Sequence, residues 1–144
     1  MTCADVMTRD PVSCELGESA ANVAKIMKTE DVGSVPVCFD LAARKLVGIV
    51  TDRDITLYLT AQGREAQTTQ VATIMTRDPL TCHPEDDLRT ALEAMERGQV
   101  RRIPVVNDNG QLVGIISLAD VMARIAPDEK AEVVEQLSKP APAA

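Results

Sequence analysis

Apolar residues recur at Ala20, Val23, Ala24 and Met27, the i, i+3, i+4, i+7 spacing of one helix face. The same stripe returns at Leu88, Ala91, Leu92 and Met95, each 68 positions later. Ser19 and Asp87 precede the stripes, and both residue types cap helix N-termini well. Two β-rich runs follow each helix, at 34–39 and 46–50 in the first copy and at 102–106 and 112–116 in the second. Asn107-Asp108-Asn109-Gly110 joins the second pair and reads as a hairpin turn. The first pair has a connection two residues longer, so the offset falls from 68 to 66. Pro36 and Pro104 occupy equivalent places; a residue without an N–H predicts an edge strand, or the irregular start of one. A second helix is predicted from 52 to about 62 and from 118 to about 125, with Gly63 and Pro127 as terminators.

The duplication is also visible in the wording of the chain. Residues 4–14 read Ala-Asp-Val-Met-Thr-Arg-Asp-Pro-Val-Ser-Cys, and residues 72–82 read Ala-Thr-Ile-Met-Thr-Arg-Asp-Pro-Leu-Thr-Cys. Each copy is predicted as strand, helix, strand, strand, helix, with a right-handed crossover through the first helix. The expected class is α+β, two βαββα repeats packed about a pseudo-twofold axis. The expected division is 1–62 for repeat one, 63–70 for a polar linker and 71–126 for repeat two. A short helix is expected from Pro127 through Leu137, followed by a disordered Pro/Ala tail at 139–144.

Half of this 144-residue chain would fold only marginally alone, so the two copies are expected to share their burial. Apolar residues make up 45%, yet Phe39 and Tyr58 are the only aromatics, so a planar ligand would meet aliphatic walls. The net charge of −7 argues against a broad nucleic-acid or membrane surface. No apolar run approaches membrane-spanning length, and no signal-peptide core opens the chain, so the expected location is the cytoplasm. Cys3, Cys14, Cys38 and Cys82 form no CxxC pair and His83 is the single histidine, so no metal site is expected.

The third strand of each copy runs into a helix through a short motif. It reads Gly48-Ile49-Val50-Thr51-Asp52-Arg53-Asp54 in the first copy and Gly114-Ile115-Ile116-Ser117-Leu118-Ala119-Asp120 in the second. Thr51 or Ser117 can cap the helix while Asp54 or Asp120 favours its positive end. Equally, the carboxylate can accept from vicinal ribose hydroxyls while the hydroxyl and helix N–H groups meet a phosphate or sugar oxygen. The two readings are compatible.

These residues resemble a tandem pair of cystathionine-β-synthase (CBS) domains, a Bateman module, over about residues 3–125. The resemblance rests on Asp5-Val6-Met7-Thr8 with Pro11, on Val35-Pro36-Val37 and Ile103-Pro104-Val105, and on the two Gly-x-x-Thr/Ser-x-x-Asp turns. It implies two clefts for adenine nucleotides or related adenosyl compounds: AMP, ADP, ATP, NAD or S-adenosylmethionine. The first cleft would set Thr51 and Asp54 against Thr81, Arg101 and Arg102, and the second Ser117 and Asp120 against Ser13, Gly33 and Ser34. Asp54 would take ribose hydroxyls, Thr51 a sugar or phosphate oxygen, and the arginines a phosphate, which suits guanidinium geometry. Gly33 and Ser34 stand where the other copy has Arg101 and Arg102, so one cleft is expected to lack positive charge. Arg101 and Arg102 can equally be solvated surface residues. Arg53 can reach a phosphate or lie exposed, and Arg9 and Arg77 can serve only the local fold.

Cys14 and Cys38 lie on strands expected to be neighbours, so a disulfide would be geometrically allowed. Two buried thiols in a reducing cytoplasm are the favoured reading. No P-loop, GxSxG, HExxH or serine–histidine pairing occurs, so the chain is not expected to be an enzyme. The leading function is a regulatory adenosyl-ligand sensor that acts through conformation or a separate protein partner. The alternative is a ligand-free structural or dimerising module. The resemblance implies a homodimer in either case.

Overall fold

The computed structural model describes residues 1–138, so the tail expected at 139–144 lies outside the described residues. The chain forms α1 (Cys3–Val6), β1 (Thr8–Arg9), β2 (Cys14–Glu15), α2 (Ala20–Glu30), β3 (Ser34–Cys38) and β4 (Leu46–Thr51). It continues through α3 (Asp52–Ile55) into a π-helical turn at Thr56–Thr60 and a 3-10 turn at Val71–Thr73. Then come β5 (Thr76–Arg77), α4 (Leu88–Gly98), β6 (Arg102–Val106), β7 (Leu112–Ser117), α5 (Leu118–Met122) and α6 (Pro127–Ser138). The α+β class holds. Ser19 Oγ accepts from the Asn22 amide at 3.1 Å, and Asp87 Oδ1 from the Arg89 amide at 2.8 Å, so both expected caps form. The second helices are shorter than predicted: α3 gives way to the π turn and α5 ends at Met122. Pro127 also opens α6, where its missing N–H costs nothing.

The strand expected to begin each copy is slight. β2 is two residues long, and its counterpart in the second copy is a single bridge between Cys82 and Val105. One sheet has the order β2-β3-β4-β5 and the other β1-β7-β6. Pro104 therefore lies on an edge strand, as expected. Pro36 does not, because β3 is interior. It is tolerated there because β2 pairs only with Val37 and Cys38, so no ladder bond is asked of Pro36.

The folded units cut across the sequence repeats. Unit 1 combines Met1–Arg9 with Leu80–Asp108 and the chain from Val113, while unit 2 combines Asp10–Pro79 with Asn109–Leu112. The Met-Thr-Arg-Asp-Pro segments supply the exchanged strands. β1 pairs antiparallel with β7, Thr8 opposite Ile115, and β5 pairs antiparallel with β4, Thr76 opposite Ile49. Asp10 and Asp78 then adopt left-handed backbone, φ 47 and 46, and turn the chain before each proline. Unit 1 has a core around Met95, Ile103, Val105 and Ile116, and unit 2 a core around Val23, Val35, Val37 and Val50.

The exchanged strands lie against glycines. A methyl group at Gly114 would stand 2.5 Å from Met7 Sδ and 3.0 Å from the Thr8 carbonyl. At Gly48 it would stand 2.5 Å from Met75 Sδ and 2.9 Å from the Thr76 carbonyl. Thioether and backbone thus occupy the space a side chain would fill. Gly48→Ala must displace β5 and is expected to cost about 1–3 kcal/mol, read from urea unfolding. Gly17→Ala, with nothing within 4 Å of the new carbon, should change stability by less than about 0.5 kcal/mol.

Candidate functional site

Both capping boxes are complete. Thr51 Oγ1 accepts from the Asp54 amide at 3.1 Å, and Asp54 Oδ2 accepts from the Thr51 amide at 2.9 Å. Ser117 Oγ accepts from the Asp120 amide at 3.1 Å, and Asp120 Oδ2 from the Ser117 amide at 3.0 Å. The capping role read from sequence is therefore real. It engages one oxygen of each carboxylate, and both aspartates remain half-buried rather than enclosed.

Each motif has its own repeat's pre-proline segment beside it. Ser34 is the cross-strand partner of Thr51, and the Asp52 amide donates to the Gly33 carbonyl at 3.0 Å. In unit 1 the Leu118 amide donates to the Arg101 carbonyl at 2.7 Å, and β6 neighbours β7. Gly33 and Ser34 thus lie beside the Thr51 motif within unit 2. The reason is antiparallel pairing: the residue that opens the first strand of a hairpin meets the residue that closes the second. The predicted hairpins already carried that signal. Ser13 precedes β2, which pairs with β3, and Thr81 precedes Cys82, which bridges Val105. Each unit therefore holds one of two equivalent sets: Ser13, Gly33, Ser34, Thr51 and Asp54 in unit 2, and Thr81, Arg101, Arg102, Ser117 and Asp120 in unit 1.

The two sets differ in charge and in satisfaction. Arg101 and Arg102 are exposed, and among the described residues neither makes an ion pair. Ser34 is 5% exposed and its hydroxyl has no hydrogen-bond partner. A buried hydroxyl left unpaired is costly, and it lies beside Thr51 on the same sheet face. Arg53 is exposed on α3, while Arg9 and Arg77 are exposed on the exchanged strands.

The sequence profile of the CBS domain matches residues 3–61 and 71–127. The chain belongs to the CBS domain family. The CBS domain-containing protein YhcV of Bacillus subtilis is 35% identical over 127 residues, 88% of this chain and 87% of that protein. The structure of Hypoxic Response Protein I with two coordinated zinc ions has a TM-score of 0.79 at 28% identity, covering 88% of this chain and all of that one. The structure of CBSX2 in complex with AMP has a TM-score of 0.73 at 26% identity, covering 85% of this chain and 93% of that one. Among the described residues of this CBS pair, no group of three or more His, Cys, Asp or Glu side chains is placed to hold a metal ion. Nor, among those residues, is any helix long and apolar enough to cross a membrane.

The four thiols of the CBS pair are free and buried. Cys14 stands opposite Val37, and Cys38 opposite Glu15. Successive strand residues point to opposite faces, so Cys14 and Cys38 do not face each other and the contemplated disulfide is absent. Cys14 joins the unit 2 core, where burial pushes its thiol up to about 12, with Glu18 and Cys38 adding to the shift. Burial raises the Cys38 thiol too, opposed by a hydrogen bond with Ser13 and by the Arg44 charge.

Thr51→Ala removes a cap and is expected to lower stability by about 0.5–2 kcal/mol in ligand-free urea unfolding. The Cys14 shift also has a sign. A thiol whose folded pKa is raised from 9.0 to about 12 contributes stability that is intact below pH 9 and lost as pH rises toward 12. Unfolding midpoints should fall across that window, and less steeply in Cys14→Ala.

Proposed function

We propose that this CBS pair is a regulatory, non-catalytic module that binds adenosyl ligands at its two equivalent residue sets. The observation that carries the reading is the unpartnered Ser34 hydroxyl, 5% exposed, beside the Thr51–Asp54 box. A ligand hydroxyl or ring nitrogen would supply the missing partner. Asp54 and Asp120 would accept from ribose hydroxyls through the oxygen not engaged by the cap. Thr51 and Ser117 would meet a sugar or phosphate oxygen. The AMP bound by the related CBSX2 supports this ligand class.

The sets should divide the work. Arg101 and Arg102 lie in the set of Ser117 and Asp120, so that set is suited to a phosphorylated ligand such as AMP, ADP or ATP. The set of Gly33 and Ser34 has no arginine at those two positions, only Arg53 on α3, and is suited to an uncharged adenosyl group, or to weak binding. Output would come from a preference of the ligand for one conformation, passed to a homodimer contact or a separate protein.

Thermal shift and calorimetry with AMP, ADP, ATP, NAD, S-adenosylmethionine and adenosine test this reading. A ligand at one hundred times its Kd should stabilise the protein by about 2.7 kcal/mol. Arg102→Ala should weaken AMP about tenfold or more and leave adenosine nearly unchanged; equal losses for both would remove the phosphate role. No shift with any of these compounds would favour a ligand-free dimerising module.

A further inference from the structure

The two repeats finish the first turn of their long helix differently. In unit 2 the segment after the π turn comes back across α2. The Ala66 and Thr69 carbonyls accept from the Ala21 and Ala20 amides, at 3.0 and 2.8 Å, and Ala66 packs against the core. In unit 1 the chain after α5 enters α6 instead. There the Leu88 amide donates to the Met1 carbonyl at 2.9 Å and the Arg89 amide to Asp87 Oδ1 at 2.8 Å, so these two amides need no returning segment. Beside this turn lies a pocket of about 230 Å³ between α4, α5 and the start of α6. Leu88, Leu92, Val121 and Ile125 give it an apolar wall, and Arg89, Arg124 and Glu129 supply charge around it. Ser117 and Asp120 do not line it.

We propose that this pocket of unit 1 binds a small carboxylate with a short apolar body, with Arg124 taking the charge and the wall taking the body. The space is sufficient, because an apolar cavity of about 150 Å³ accepts a body the size of benzene. The charges around the pocket are not equivalent. Asp87 is engaged in the cap, and Glu129 Oε1 lies 3.9 Å from Arg89 Nη2. Arg124 is exposed and, among the described residues, makes no ion pair. Hydrogen bonds with Thr2 hold the Asp5 carboxyl low, and the Arg124 charge adds a smaller share, so the guanidinium is not committed to Asp5. A planar guanidinium fits a carboxylate through two parallel hydrogen bonds. Arg89 is the second cation, and an exposed pair such as Arg89 with Glu129 yields readily to a competing carboxylate.

The test titrates the isotope-labelled full chain with hexanoate and follows the amide NMR signals. Saturable shifts are expected at Leu88, Arg89, Leu92 and Val121. Arg124→Ala, a change at an exposed position, should weaken hexanoate about tenfold. Hexanol, the same body without the charge, should bind weaker than hexanoate by a similar factor. Ala126→Phe, at an exposed position lining the pocket, should fill the space and abolish the shifts. Shifts that do not saturate, shifts confined to Ser34, Thr51 or Arg101, or full binding by Ala126→Phe would overturn the site. Equal affinity for hexanol and hexanoate, or an unchanged affinity in Arg124→Ala, would overturn the role of the charge.

Discussion

The seating of a methionine on a glycine, Met7 on Gly114 in one unit and Met75 on Gly48 in the other, is the contact the fold depends on. The strands it secures are two residues long, and a ladder that short has little stability of its own. Without a Cβ on the facing strand, the thioether and the next carbonyl approach closely enough for the ladder to form. Each unit thereby completes its sheet with a strand from the other sequence repeat. A half of this size that kept only its own segments would be marginal.

The same architecture explains why duplication did not make two identical residue sets. The hairpins place Gly33 and Ser34 against the Thr51 box, and Arg101 against the start of α5. Equivalent backbone bonds hold Gly33 and Arg101, so the scaffold is common and only the side chains differ. One set carries an orphaned buried hydroxyl and no arginine on its pre-proline segment. The other carries two exposed, unpaired guanidinium groups. Each capping box uses one oxygen of its carboxylate and leaves the second outside the cap.

The thiols follow this logic of packing. Cys14 and Cys38 occupy adjacent strands, yet the pleat separates their side chains. Cys3 and Cys82 are remote in sequence, yet the exchanged N-terminal segment brings both into the core of unit 1.

Periodicity and local chemistry determined much by themselves. The helix stripes, Ser19 and Asp87 as caps, both hairpins, both capping boxes and the family were legible, because each depends on neighbours a few residues apart or on a repeated motif. The shortened second helices, the interior position of Pro36 and the exchange of Met-Thr-Arg-Asp strands were not. Those outcomes depend on which segment fills the space beside a particular strand. Two nearly identical segments satisfy the same local pattern, so neither announces which sheet it joins. That choice is made by long-range burial and backbone pairing, and only the tertiary structure decided it.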